Sequence, residues 1–62
     1  MNKSEIREVA KIAQYRAAGL GADFVARALS SLIRAARTKK SAAALREYAD
    51  IFGVANHPEF IA

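Results

Sequence analysis

Cationic side chains with spacing suited to an anionic ligand crowd the middle of the chain, in the stretch LIRAARTKKS of residues 32–41. Four of them lie within seven positions, and the whole set is Arg27, Arg34, Arg37, Lys39 and Lys40. Steps of 100° per residue place the three arginines on one polar helix face, which the two lysines extend past the predicted helix end. Because guanidinium and ammonium groups bind phosphate and carboxylate oxygens, we predict that this set contacts an anion or an anionic partner.

A solvated helix end is the alternative explanation for the same cations. The helix dipole stabilises a positive charge near a helix C-terminus by about 0.3 to 1 kcal/mol. This effect accounts for Arg37, Lys39 and Lys40, but not for Arg27 and Arg34, which are predicted to lie too far from the end. The sequence therefore leaves four interpretations open: a solvated face, a contact for an acidic protein, a contact for nucleic acid, and a contact for anionic lipid.

A DNA-reading helix-turn-helix is disfavoured by the residues that follow its apparent start. The segment RAAGLGADFVARAL (16–29) offers a helix, a glycine turn and a second amphipathic helix. The next residues, SSLIRAAR (30–37), remain apolar at helical spacing and contain no glycine, so we expect no turn and recognition helix there. A role with nucleic acid would then rest on phosphate contacts and would weaken steeply with salt.

Residue types for catalysis or metal binding are sparse in this sequence. His57 is the single histidine and there is no cysteine, so a structural zinc site lacks ligands and no disulfide can form. The four serines show no sequence pattern that would pair one of them with His57 as a base. Glu47 and Asp50 are expected to be solvated charges on the third helix. We therefore expect a protein that is not an enzyme, with no catalytic or metal-binding residue and no cofactor.

Helices must position these side chains, because no stretch alternates in the manner of a strand. Asn2 and Glu5 have the spacing of a capping box, and Gly19 and Gly53 are predicted helix ends. Hydrophobic periodicity predicts helices at about 3–18, 22–38 and 42–52, the third capped by Ser41, and a short turn at about 57–61. The 62 residues suffice for one domain, residues 1–62, of the all-α class: a three-helix antiparallel bundle with a short C-terminal helical turn.

Self-association is expected because the central helix is apolar over a wide part of its circumference. Its apolar residues span roughly 200°, more than a one-sided surface helix shows. On the first helix, the predicted core stripe consists of Ile6, Val9, Ala10, Ala13 and Ala17. Three bulky residues outside the predicted stripes, together with part of the broad apolar face of the central helix around Phe24, suggest a contact surface for a partner or a second copy. The candidate interface residues are Ile12, Tyr15, Phe24 and Ile51.

Binding without catalysis is the function that these features predict. The net charge of +4 favours anionic partners. We interpret the chain as a small helical regulator, inhibitor or accessory factor, by analogy of a bacterial, phage or mobile-element type, that binds a macromolecular partner as a homo-oligomer. The alternative is a basic nucleic-acid-binding accessory protein that contacts phosphates. No apolar run approaches the roughly 18 residues of a membrane span, and the start of the sequence lacks the apolar core of a secretory signal, so we expect a cytoplasmic location.

Overall fold

Three α-helices form the fold in the computed structural model, which describes residues 1–61. In chain order they are α1 (Lys3–Ala17), α2 (Ala22–Ala35) and α3 (Lys39–Ile51). α2 packs against both of the other helices, and the molecule measures 29 × 25 × 16 Å. The described residues contain no β-strand, so the predicted all-α class is confirmed for this part of the chain.

The two ends of α1 follow the predicted signals. The Glu5 backbone N–H donates to Asn2 Oδ1 at 2.8 Å, and the Asn2 backbone N–H donates to Glu5 Oε1 at 2.8 Å. This capping box satisfies backbone donors that a helix start leaves without partners. At the other end Gly19 has a φ of +88°, and the Leu20 N–H donates to the Tyr15 carbonyl at 3.1 Å, which closes a Schellman motif.

The buried face of α1 differs from the predicted stripe. Val9 and Ile12 are buried, with Ile12 only 3% exposed, whereas Ile6 is 53% exposed. The alanines at positions 10, 13 and 17 extended the predicted stripe, but they offer little apolar area to bury. Burying Ile12 together with Val9, which lies at the edge of the predicted stripe nearest to Ile12, removes more apolar surface from water. The prediction that Ile12 is an exposed interface residue is therefore wrong.

α2 supplies the largest share of the core. Val25, Ala26, Leu29 and Ile33 are buried along one side of this helix. The full set of buried apolar residues is Val9, Ile12, Val25, Ala26, Leu29, Ile33, Leu45, Ala49, Phe52 and Val54. Further apolar residues of α2 pack partly buried against this core, so a single copy of the chain covers most of the wide apolar arc of α2. Phe24 is the large side chain of that arc that stays exposed, at 49%.

The connection between α2 and α3 lies earlier in the chain than predicted. α2 ends at Ala35, since Ala36 has an extended conformation with ψ of 134°. Thr38, not Ser41, is the N-cap of α3: its Oγ1 accepts the Ser41 backbone N–H at 3.0 Å. A threonine side chain that satisfies a free helix donor favours a new helix start at this position. Residues 36–38 therefore form the connection, and Lys39 begins α3.

The C-terminal residues fold back in a series of turns. After α3, Gly53 has a φ of +75°, and the Val54 N–H donates to the Ala49 carbonyl at 2.8 Å. Val54 is buried, and Phe60 packs partly buried against the core. The Phe60 N–H donates to the His57 carbonyl at 2.9 Å. These contacts hold residues 54–60 against the helices and bring His57 beside α2.

Candidate anionic-partner surface at the α2–α3 connection

Four of the five predicted cations surround the short connection between α2 and α3. Arg34 lies in the last turn of α2, Arg37 lies in the connection, and Lys39 and Lys40 form the start of α3. We call these four residues the connection cluster. All four are exposed. Within residues 1–61, none of them forms a salt bridge, because the pairs in that range are Lys11–Glu8 and His57–Asp23.

The helix dipole affects the members of this cluster in opposite ways. Arg34 is close enough to the C-terminus of α2 for a favourable interaction, contrary to the sequence-based expectation. Lys39 and Lys40 lie in the first turn of α3, where the dipole is positive and disfavours a cation. The expectation that these lysines stabilise a helix C-terminus is therefore wrong. Their charges have no stabilising role in the helix to which they belong.

Arg46 joins this surface, although the sequence analysis did not single it out. Arg34 and Arg46 line one open cleft of about 300 Å³, together with Ser30, Ile33, Glu59 and Phe60. Arg46 is exposed on α3 next to the fully buried Leu45. The sequence could have predicted that Arg46 lies on the same outer face as Lys39, because the two residues are seven positions, or about two helical turns, apart. Its approach to Arg34 depends on how α3 packs on α2.

Arg27 lies in a neighbourhood of mixed charge instead. It lines an open cleft of about 610 Å³ with Asp23, His57, Pro58 and Glu59. The Asp23 carboxylate contacts His57 Nε2 at 2.6 Å. The hydrogen bond with His57, followed by the charge of His57, lowers the pKa of Asp23, and the charge of Arg27 lowers it further. The structure thus separates Arg27 from the connection cluster, although all five cations were predicted to share one surface.

His57 is fully engaged in holding the C-terminal turns. Its Nδ1 accepts the Glu59 backbone N–H at 3.1 Å, so Nε2 carries the hydrogen that is donated to Asp23 Oδ1 in the neutral ring. No serine hydroxyl bonds to this ring within residues 1–61. The same part of the chain contains no group of three or more histidine, cysteine, aspartate or glutamate side chains that could hold a metal ion. The arrangement around His57 is that of a structural link.

A second surface, at the opposite end of α2, is apolar. The rings of Tyr15 and Phe24 meet edge to face with centroids 5.3 Å apart, and they remain 37% and 49% exposed. Leu20, in the connection between α1 and α2, is also exposed. We call Tyr15, Leu20 and Phe24 the aromatic patch. Ile51, the remaining predicted interface residue, is 63% exposed in the last turn of α3.

Comparison with known proteins found no matching family model, no matching curated protein and no matching solved structure. Within residues 1–61, none of the helices has the length and apolar character required to cross a membrane.

Proposed function

We propose that this protein is a non-enzymatic interaction protein, a regulator, inhibitor or accessory factor, that binds a macromolecular partner through the connection cluster. We also propose that neighbouring helices of this module run antiparallel. Asn2, at the start of α1, and Arg37, just after the end of α2, line the same cleft, which supports this arrangement. The cytoplasmic location expected from the sequence stays a prediction. A binding function requires exposed groups with unused interactions, and the cluster places four exposed cations within seven residues, none of which forms a salt bridge within residues 1–61.

The observation that carries this proposal is the position of Lys39 and Lys40. Both are exposed in the first turn of α3, where each positive charge costs about as much as a favourable dipole contact would give, some 0.3 to 1 kcal/mol. No carboxylate within residues 1–61 pairs with either lysine to offset this. An anionic partner would remove the unfavourable interaction on binding, which supports a role in recognition.

Self-association is the second part of the proposal, and the aromatic patch supports it. A cleft of about 480 Å³ continues from Phe24 along α2 and is lined by Asp23, Arg27, Ala28 and Ser31. In a two-fold symmetric dimer, the residue pair that meets on one side meets again on the other. Asp23 and Arg27 lie one helical turn apart, so a second copy can place each beside its opposite charge. We therefore propose a homodimer that buries the ring of Phe24 against the other copy.

Crosslinking tests the partner-binding part. The native chain and two variants with equal net charge, K39Q/K40Q and K3Q/R7Q, are photo-crosslinked in an extract of the native host. We expect one crosslinked macromolecule with the native chain and with K3Q/R7Q, and its loss with K39Q/K40Q. Retention of that species in K39Q/K40Q, or no species with the native chain, would contradict the proposal. Mass spectrometry and nuclease digestion identify the crosslinked macromolecule as protein or nucleic acid.

Sedimentation equilibrium tests the homodimer separately. Phe24→Ser is expected to convert a dimer at micromolar concentration into a monomer, because it removes the main apolar side chain of the patch. Ile6→Ser is the control, since Ile6 is similarly exposed on α1 outside the patch. A native chain that sediments as a monomer at 100 µM would rule out the dimer. That concentration is far above the roughly micromolar range expected of a weak specific dimer.

A further inference from the structure

The α2, connection and α3 segments that carry the cluster supply cations and no exposed large hydrophobic side chain. Met1 and Ile6 are exposed at the start of α1, where Asn2 shares a cleft with Arg37. Between residues 25 and 50, a range that the structure describes in full, none of the large hydrophobic residues is exposed. Binding sites for proteins usually depend on buried aromatic or aliphatic side chains near their centre, with charges at the rim. Contacts to phosphates need only cations and small polar groups. The composition of this surface therefore fits nucleic acid better than an acidic protein.

Within residues 1–61, the ring that lines a cleft with Arg34 and Arg46 is that of Phe60, which is partly buried and not exposed. The aromatic patch, with Tyr15 and Phe24, lies at the other end of α2: Phe24 and Arg34 are ten residues apart, about 15 Å along the helix. Proteins that bind single strands without sequence preference stack bases on exposed aromatic rings. A surface that offers exposed cations without an exposed ring suits the phosphates of a duplex, whose bases are already stacked.

The outer side of α3 has a charge gradient that orients such a duplex. Its first turn carries Lys39 and Lys40, Arg46 lies just past its middle, and Glu47 and Asp50 follow, all exposed. Phosphates are attracted to the cations of the first turn and repelled by the carboxylates near the end of the helix. The three-residue connection before α3 has a length that also occurs in helix-turn-helix motifs. α2, however, continues to Ala35, through most of the segment 30–37 whose helical apolar spacing disfavours such a motif.

We propose that the connection cluster, extended by Arg46, is a binding surface for the phosphate backbone of duplex nucleic acid. This inference rests on the proposed function and names the partner of the same site. Arg27 is excluded from the surface, because it shares its cleft with Asp23 and His57 and its charge already acts on the Asp23 carboxylate by lowering the pKa of that group. Glu59 lines this cleft and also the cleft of Arg34 and Arg46. Five cations are included: Arg34, Arg37, Lys39, Lys40 and Arg46. Recognition through phosphates alone is independent of base sequence.

Salt dependence gives this proposal a quantitative form. Each phosphate contact adds about −0.9 to the slope of log K against log salt concentration. Five contacts predict a slope of about −4.5, so affinity should fall roughly 500-fold between 50 and 200 mM KCl. The unchanged protein should bind in the range of about 10⁻⁴ to 10⁻⁶ M, as expected for contacts that do not read bases.

The experiment measures the fluorescence anisotropy of a labelled 20-base-pair duplex of mixed sequence with the full chain. K39A/K40A is expected to weaken binding at least tenfold at 50 mM KCl and to reduce the slope by about 2. R46A should reduce the slope by about 1, whereas R27A, with the same loss of charge, should stay within twofold of the native chain. Circular dichroism verifies that each variant remains helical. Equal effects of R27A and R46A would overturn the proposal, because they would indicate attraction by net charge alone.

A second ligand separates failure of this inference from failure of the proposed function. Labelled poly-glutamate of matched charge replaces the duplex under the same conditions. Tighter binding of the duplex supports the inference. If poly-glutamate binds as tightly or more tightly, and K39A/K40A weakens that binding, the cluster remains an anionic-partner surface but the assignment to nucleic acid is wrong. Binding of neither ligand at 50 mM KCl overturns both the inference and the role of the cluster.

Discussion

Arg16 of α1 donates a hydrogen bond from Nε to the backbone carbonyl of Phe52 at 2.8 Å. These residues are 36 positions apart in the chain, and Phe52 is the C-cap of α3. Helix ends leave carbonyl groups without intrahelical partners. The bond therefore gives a carbonyl group at the C-terminal end of α3 a hydrogen-bond donor from α1. It links the two helices that pack against α2.

Loss of this link should destabilise the fold modestly. Arg16→Met keeps most of the aliphatic side chain and removes the donor, so we expect the free energy of unfolding to fall by about 1 kcal/mol. Urea denaturation monitored by circular dichroism measures this change. Arg7→Met is the matched control, because Arg7 is exposed on α1 and its side chain makes no hydrogen bond within the described residues. A control that loses as much stability as Arg16→Met would refute a specific role for the bond.

The start of α3 can be located by mutation of its two candidate caps. Thr38→Ala should lower the free energy of unfolding by about 1 kcal/mol, because Thr38 Oγ1 accepts the Ser41 backbone N–H. Ser41→Ala removes only a hydroxyl within the helix and should change stability by less than about 0.5 kcal/mol. Chemical denaturation of both variants distinguishes the observed cap from the one that the sequence suggested. The reverse order of effects would place the helix start at Ser41.

The buried face of α1 predicts unequal effects at its two isoleucines. Ile12→Ala should cost about 2 to 5 kcal/mol, since a buried isoleucine leaves a cavity when truncated. Ile6→Ala should cost less than about 1 kcal/mol, because Ile6 is largely solvent-exposed. Thermal and urea unfolding measure the free energy of unfolding of both variants and of the native chain. If Ile6→Ala were the more damaging variant, the face assigned to the core would be incorrect.

The pair formed by Asp23 and His57 predicts a pH effect of known sign. The folded state lowers the pKa of Asp23 below its ordinary value of 3.8, through the hydrogen bond and the charge of His57. The resulting stabilisation is present above the unfolded-state pKa and is lost as the pH falls through the lower folded-state pKa. In a carboxyl titration followed by nuclear magnetic resonance, Asp23 should titrate below 3.8 in the native chain. In His57→Gln its pKa should rise towards that value.

Asp23→Asn provides the complementary measurement. The native chain should lose free energy of unfolding in the acid range where Asp23 becomes protonated, and the variant should lose less over the same range. An identical acid dependence in the native chain and Asp23→Asn would show that the pair does not contribute to stability.

Local signals in the sequence were sufficient to predict the helices and several of their ends. Asn2 and Glu5 lie at the spacing of a capping box, and Gly19 and Gly53 adopt the positive φ that favours glycine at a helix end. These features depend on residues within one helical turn of each other. Leu45, Ala49 and Phe52 recur at helical spacing in the sequence and are buried in the structure.

The packing of the helices decided what the sequence left ambiguous. Two faces of α1 had apolar residues at helical spacing, and the fit of Val9 and Ile12 against α2 selected one of them. The sequence predicted Ser41 as the cap of α3, whereas α2 ends at Ala35 and the cap is Thr38. The position of Arg46 beside Arg34, and of Arg27 beside His57, follows from contacts between segments distant in the chain. The sequence by itself thus determined the helical class and the number of cations, since both depend on composition and local period. Only the tertiary structure decided which cations lie together, because that arrangement depends on how α3 and the C-terminal turns pack on α2.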